Sequence, residues 1–489
     1  MYVMSSPYLG RRGYTIYKDS LTVTEEAYIR RELTVQPVVQ GSPVQGNAFP
    51  VYRESHSRFY LPKFFGLQNF PIPCRSDLPL GDNIEVKFEG NLREYQKSIA
   101  WTFMKSIQSS RHVGGGVISV PCGRGKTVIA LDILAQLKKK TLVVVHKGFL
   151  VSQWTERIQQ FLPQARVGCI QGQTVDIDNK DIVIGMLQSL SMKDYPQGMF
   201  DSFGFMIVDE CHHISSEVFS RSLVKIMVPY TLGLSATVER KDGLTKVFKM
   251  FLGDIVYEEE REANSQVRVR AVRYSSNDPA YAEEPRDHRG KIAHSSLISN
   301  ICSYSPRTVA ITDTFLHEMT LMADQQVLVL AQQKNILSEI AGILKSRNFL
   351  SYGYYLGGMK ESVLKSSEDK KVVLATYAMA AEALDIKTLT TLVLATPRTD
   401  VVQAVGRILR CPHTRPLIID FVDEHSTFVR QWEKRCRYYN KNKYTIEERK
   451  CDDPVDSWVE VASAGRRKRS PRKPPSDPMR GSCHVPFER

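Results

Sequence analysis

From about residue 89 the chain carries apolar residues in short unbroken runs: "GVISVP", "TLVVVH", "DIVIGM", "FMIVDE" and "TLGLSAT". Each run is followed by a longer stretch with helical spacing. Runs of this length without alternation predict strands buried on both faces, joined by crossover helices in a parallel sheet. The rhythm stops at residue 259. Residues 259–300 are polar and charged, and read as a connector carrying one strand. It resumes at about 301 with "QVLVLA", "KVVLAT", "TTLVLAT" and "PLIIDFV". The pattern predicts two α/β units, residues 89–258 and 301–454. Residues 1–88 differ. Short alternating runs such as "ELTVQPVV" and "RFYLPKFF" are punctuated by Pro and Gly, which predicts a small β-rich or irregular accessory module. Residues 455–489 are rich in Pro, Ser and Arg and are expected to form a disordered basic tail.

A length of 489 residues allows roughly three domains, in keeping with this division. No apolar run is long enough to span a bilayer, and the first residues lack a signal-peptide layout. A soluble intracellular protein is expected, with no membrane partner. The nine cysteines are scattered without a C-x-x-C pair, which argues against a disulfide framework and against zinc. Lys and Arg number 66 against 53 Asp and Glu, a formal charge of +13. That excess favours a polyanionic partner, nucleic acid first. Roughly half of it lies after Gly465, so a basic tail on a neutral enzyme is the competing account.

The segment "VISVPCGRGKTVIALDILAQLKKK" combines a strand, a glycine-bearing turn and an apolar helix. Backbone N–H groups and a helix N-terminus at such a turn receive phosphate. Gly123 and Gly125 permit close wrapping, Lys126 suits the β- and γ-phosphates, and Thr127 suits Mg²⁺. The usual first glycine is missing, and Val120 stands in its place. The competing account is a surface turn with a solvated lysine. "FMIVDECHH" sends a buried strand into the acid pair Asp209 and Glu210, at the strand edge where open α/β sheets place their chemistry. Asp209 is a candidate for Mg²⁺ and Glu210 for activating water. A solvated strand end is the alternative. Zinc on Cys211, His212 and His213 is disfavoured, because neighbours on an extended strand face opposite ways.

The ordered set "LREYQ" (92–96), "PCGRGKT" (121–127), "VVVHKGFLVSQW" (143–154), "DECH" (209–212), "SAT" (235–237), "ATYAMAAEALD" (375–385) and "QAVGRILR" (403–410) resembles the DExH-box helicases of superfamily 2. Its texture is similar to the XPB/UvsW branch and to the helicases of large DNA viruses, of the poxvirus transcript-release type. In that form the phosphate loop begins with a small residue or proline, so "PCGRGKT" needs no earlier glycine. The resemblance implies two RecA-like domains in tandem with ATP and Mg²⁺ between them. Arg93 and Gln96 match the adenine-reading motif. Pro121, Cys122, Gly123, Arg124, Gly125, Lys126 and Thr127 match the phosphate loop. Asp209 and Glu210 match the metal-holding and water-activating pair, with Thr127 as second metal ligand. His212, Ser235 and Thr237 match residues coupling nucleotide state to domain closure. Asp385, Gln403, Arg407 and Arg410 match the second domain's contribution, with the arginines reaching the γ-phosphate. Read as one helix, "QAVGRILR" places Gln403, Gly406, Arg407 and Arg410 near one face. Two departures stand out: Ala383 replaces a family glycine, and Arg240-Lys241-Asp242 replaces an Arg-Glu-Asp element.

The resemblance also places Lys147, Gln153, Gln188, Ser189 and Arg240 along a sugar-phosphate path. Trp154 in the same stretch reads better as helix packing. The N-terminal stretch mixes Arg53, Arg58 and Lys63 with Tyr60, Phe64 and Phe65, which suits either base stacking or a small core. The tail "RRKRSPRKP" suits a phosphate grip, a nuclear import signal or a solvated end. A nuclear or viral replication site in a host cell is compatible with it. The expected activity is ATP-dependent unwinding of, or translocation on, nucleic acid, DNA more than RNA. The alternatives are a translocase that remodels protein–nucleic acid complexes such as transcripts, an RNA helicase, and an inactive scaffold. Transcription or replication and repair machinery are the expected protein partners.

Overall fold

The computed structural model describes residues 6–37, 46–108, 113–121, 123–212, 217–236, 245–259, 266–322, 324–382, 384, 386–411, 413 and 415–461. Two eight-stranded, mostly parallel sheets dominate it. The first runs, edge to edge, Thr174–Val175, Val167–Gln171, Ile182–Met186, Thr141–Val145, Phe205–Val208, Tyr230–Ser235, Gly114–Ser119 and Ile255–Glu258. Every pairing in it is parallel except that of the short edge strand Thr174–Val175. The central runs are apolar because helices cover both faces. Leu142, Val143, Ile182, Val183, Phe205 and Ile207 are all fully buried.

The second sheet runs Tyr352–Tyr355, Val372–Thr376, Val327–Ala331, Thr391–Leu394, Leu417–Asp423, Arg268–Tyr274, Thr445–Lys450 and Val459–Glu460. Its sixth strand is the strand expected within residues 259–300, and it belongs to this sheet. Residues 268–274 lie inside the sheet, parallel to Leu417–Asp423 on one side and Thr445–Lys450 on the other. The alternating "RVRAVRY" carries three arginines, unlike the apolar runs of its neighbours. Its arginines have partners in place. Arg270 pairs with Glu447 at 3.0 Å and with Glu318, and Arg273 pairs with Glu448 at 3.1 Å. Half-buried cations so paired avoid the cost of a lone buried charge. The expected tail is corrected at its start. Val459–Glu460 adds an antiparallel edge strand, and Trp458 lies over the guanidinium groups of Arg270 and Arg449 at 4.9 and 5.0 Å. Residues 462–489 lie outside the described residues. No helix among the described residues is long and apolar enough to cross a membrane.

The N-terminal module holds a five-stranded sheet in the order Arg53–Glu54, Arg58–Leu61, Gly13–Tyr17, Tyr8–Gly10, Arg75–Ser76. It also holds two helices that its strand-like pattern concealed. Val23–Glu32 begins with a capping box, Thr22 Oγ1 accepting from the Glu25 N–H and the Glu25 carboxylate accepting from the Thr22 N–H. Lys63–Asn69 packs under the sheet, where Gly66 lets the backbone meet Tyr14; a Cβ there would sit 2.1 Å from the ring. The inward side chains Leu9, Tyr14, Ile16, Phe59 and Leu61 share one core with Phe65, Leu223, Ile226, Val228, Val247 and Phe248. The module is therefore fused to the first parallel sheet's layer.

Lys63 seals that junction. Its ammonium is buried and donates to the carbonyls of Val228 at 3.0 Å and Pro229 at 2.8 Å. Burial pushes its pKa down from 10.5 to about 7. Folding thus expels a proton between those values, so this group's contribution to stability is full above pH 10.5 and is lost as pH falls toward 7. Lys63→Met is expected to abolish that slope. The melting temperature of the unaltered protein, compared with that of the variant, should rise from pH 7 to pH 9; parallel pH curves would contradict it.

Candidate nucleotide and nucleic-acid site

Strand Gly114–Ser119 runs into the phosphate loop without needing a glycine at 120. Val120 is fully buried, and its N–H donates to the Ser235 carbonyl at 3.1 Å, so the chain is still part of the sheet there. The wrap comes afterwards. Gly123 and Gly125 have φ of +88° and +78°, a region that favours glycine. Helix Lys126–Leu137 starts immediately, with Gly125 as its N-cap. Its N-terminal N–H groups therefore open onto the turn.

Side chains from elsewhere fix the loop. Gln96 accepts from the Arg93 N–H at 2.9 Å and donates to the Arg124 carbonyl at 3.0 Å. The Tyr95 hydroxyl donates to the same carbonyl at 3.3 Å, while the Arg124 guanidinium lies 4.3 Å over the Tyr95 ring and pairs with Glu259. Tyr95 and Glu259 were not singled out in the sequence. The signal for Tyr95 was its place inside "LREYQ". Glu259 gave none, since it stands at the start of the supposed connector. Lys126 Nζ lies 3.4 Å from the Val120 carbonyl and 3.9 Å from Glu210. Thr127 stands one residue into the same helix, half-buried.

Strand Phe205–Val208 delivers the acid pair beside this lysine. The Asp209 N–H still donates to Val144, and the Glu210 N–H turns back onto the Asp209 carboxylate at 3.0 Å. Glu210 itself has φ of +46°, a strained setting for a residue with a side chain. The second Asp209 oxygen accepts from Trp154 Nε1 at 2.9 Å. Trp154 is buried, as its packing reading required, but its indole N–H needed an acceptor, and that acceptor is the acid. Burial, then the Glu210 charge, pushes Asp209 up to about 6, against the pull of Trp154 and Lys126. His212 Nδ1 lies 2.9 Å from Ser235 Oγ and 3.4 Å from Glu210, linking the acid strand to the next one. Burial pushes the adjacent Cys211 thiol well up, so it is a core group.

The second sheet contributes from its own helix, with a correction. Helix Val402–Arg407 is shorter than "QAVGRILR" implied and carries Gln403, Gly406 and Arg407. Arg410 lies beyond its end. Arg407 is buried and donates to the Leu384 carbonyl at 2.7 Å. Arg410 faces the first sheet: a Cβ on Gly123 would sit 3.6 Å from its Cα and Cγ. The loop and this arginine thus meet across the two sheets. Cys122, Thr237, Arg240 and Asp385 lie outside the described residues.

The expected path residues gather at neighbouring strand ends. Exposed Lys147 caps helix Gly148–Phe161, which carries Gln153. Gln188 donates to the His146 carbonyl at 2.9 Å, and Ser189 Oγ accepts from the Gly172 N–H at 2.9 Å. These four therefore border one edge of the first sheet.

The model of the restriction-enzyme family "Type III restriction enzyme, res subunit" matches residues 89–240. A protein of Acanthamoeba polyphaga mimivirus named as an ATP-dependent RNA helicase is 32% identical over 453 residues, covering 89% of this chain and 86% of its own. The DNA 3'-5' translocase XPB2 of Sulfurisphaera tokodaii is 34% identical over 177 residues, 36% of this chain and 38% of its own. Among solved structures, a fragment described as an HsdR subunit of a type I restriction enzyme from Vibrio vulnificus aligns with a TM-score of 0.53 at 17% identity, over 77% of this chain and 71% of that one. That likeness fits the tandem RecA-like fold. The extent of the mimivirus match settles the family: the chain belongs to the superfamily 2 helicases carried by large DNA viruses.

Proposed function

We propose that the chain hydrolyses ATP between its two sheets and uses the cycle to move along DNA. ATP-dependent helicase or translocase activity follows from the family; the nucleic acid, the metal and the residue roles are the proposal. The observation that carries it is the seating of Arg410 against Gly123. An arginine supplied in cis from the second sheet's half, beside a phosphate loop, suits the charge that develops on a transferred phosphoryl group. Lys126 and the loop N–H groups bind the β- and γ-phosphates, and Arg93 and Gln96 border the base. Glu210 orients and deprotonates the attacking water, while His212 and Ser235 connect that acid to the neighbouring strand. Arg407 and Gln403 hold the second half's side of the cleft. The hydroxyl of Thr127 and the carboxylate of Asp209 suit Mg²⁺ chemically and stand at the ends of adjoining elements. Bound there, the ion would neutralise phosphate charge.

Lys147, Gln153, Gln188 and Ser189 are the proposed backbone contacts, and such contacts are salt-sensitive and blind to sequence. The charge of +13 suits either nucleic acid, and DNA is favoured by the name of the XPB2 relative. The name of the mimivirus relative favours RNA as the second reading. ATPase stimulation by single-stranded DNA, duplex, fork and RNA separates the two; stimulation by RNA alone would overturn the DNA assignment. Strand displacement on the fork then separates unwinding from translocation.

Lys126→Ala is expected to lower ATP turnover at least about 100-fold while nucleic acid binding persists, measured by phosphate release and by anisotropy. Arg410→Ala should reduce kcat by roughly 10³, the scale of an arginine finger, with a small change in nucleotide affinity. Unchanged kcat would exclude Arg410 from the reaction. Trp154→Phe keeps the packing and removes one bond to a carboxylate, so kcat should fall about tenfold with KM for ATP unmoved. A change confined to thermal stability would make Trp154 structural only.

A further inference from the structure

The outer face of the N-terminal five-stranded sheet has a composition unlike its inner one. Register places Tyr8, Thr15, Tyr60 and Arg53 in one cross-strand row, with Arg75 beside Tyr8 on the far strand. Tyr17 and Arg58 pair in the next row. All of these point away from the buried side that holds Leu9, Tyr14, Ile16 and Phe59. The three tyrosines are half-buried, and each has a guanidinium on its ring: Arg75 over Tyr8 at 4.7 Å, Arg58 over Tyr17 at 4.6 Å, and Arg12 over Tyr60 at 5.2 Å. The sheet thus presents alternating aromatic and guanidinium planes across three strands.

The charge on this face is one-sided. Glu54 sits in the opposite register and pairs with Lys18 and Arg30. Asp77, on Arg75 at 3.1 Å, is the carboxylate that partners one of these arginines. Arg58 Nη1 donates to the Tyr8 hydroxyl at 3.2 Å, while its buried Nε–H finds no acceptor among the described residues. Burial would raise the Tyr60 hydroxyl, yet Ser55, Arg12 and Arg58 outweigh it and hold it below its usual value. That balance marks a positive local potential.

The face also adjoins the expected path. Arg11, in the hairpin turn, pairs with Asp201 at 2.5 Å. A Cβ on Gly13 would come 3.3 Å from Met227. Two residues earlier, Lys225 donates to the Ser191 carbonyl at 3.2 Å, on the helix that carries Gln188 and Ser189.

We propose that this face is a second nucleic-acid site, a sequence-blind stacking platform for single strands. Unstacked bases lie on tyrosine or guanidinium planes, and phosphates meet Arg53 and Arg75. A duplex keeps its bases stacked on one another and offers this surface only phosphates. The proposal rests on the nucleic-acid reading above and extends it to a part of the chain outside the two parallel sheets.

Two double variants of the full chain test it: Arg53→Glu with Arg75→Glu, and Tyr17→Leu with Tyr60→Leu. The leucines keep Thr15 covered and remove the π-faces. Binding of fluorescent dT20 and of a blunt 20-base-pair duplex is measured at two salt concentrations, with ATP turnover and melting temperature alongside. The arginine pair should weaken dT20 binding at least tenfold and lower the salt slope by roughly one to two. The tyrosine pair should weaken dT20 about five- to tenfold at unchanged slope and leave duplex affinity and basal turnover unmoved. Native affinity for dT20 in both variants, with native melting, would overturn the platform. So would equal losses for dT20 and duplex in the tyrosine pair. A parent protein that binds dT20 but shows no stimulated turnover would overturn the motor reading and leave this test intact.

Discussion

Two parallel sheets, each with its loops gathered at strand C-terminal edges, are useful to one another only where those edges meet. In this chain they adjoin where Gly123 of the phosphate loop lies beside Arg410, close enough that a Cβ on the glycine would touch it. The phosphate-loop candidate of the first sheet and the arginine candidate of the second adjoin there. Gly123 needs φ of +88°, so the loop bulges outward and exposes N–H groups instead of a side chain. Arg410 stands past the end of helix Val402–Arg407, free of the helical repeat and able to face the other sheet. A helix continued through residue 410 would have fixed that direction by its own geometry. The break after Arg407 is therefore part of the site's construction, and Arg407, tied to Leu384, secures the turn on the second-sheet side.

The first sheet was legible because its central strands are buried on both faces, and unbroken apolar runs have no other good explanation. The phosphate loop was legible despite its missing glycine, since the fully buried Val120 only prolongs a strand. Charged strands were not legible. "RVRAVRY" gave no sign of its place inside the second sheet, because its compensating acids, Glu447 and Glu448, lie over 170 residues away in sequence. No local pattern carries that information. The same holds for Glu259 on Arg124 and for Asp209 on Trp154. In each case one residue type announced a need, and the fold alone named the partner. The aromatic N-terminal stretch was undecided for a related reason. A strand of period two serves two faces at once, so Phe59 became core while Tyr60 and Arg58 faced outward, and Phe65 reached the core from the helix that follows.

The hydrogen bond between Trp154 and Asp209 has a wider consequence for how such a molecule could transmit force. Helix Gly148–Phe161 begins at exposed Lys147, on the expected nucleic-acid side, and carries Trp154 two turns later. A helix is stiff over that length, with a rise of about 1.5 Å per residue. Displacing its N-terminus would therefore move the indole that fixes one oxygen of Asp209. The other oxygen is held by the N–H of Glu210, whose backbone lies in the left-handed region. Under the proposed function, stimulation of turnover by nucleic acid would need no separate relay. The acid pair is positioned from three directions: the strand beneath it, helix Gly148–Phe161 through Trp154, and His212 bridging to Ser235. A coupling of this kind becomes a two-state device only if one contact is made and broken in the cycle, and the contact best suited to that is the one joining the sheets, at Arg410.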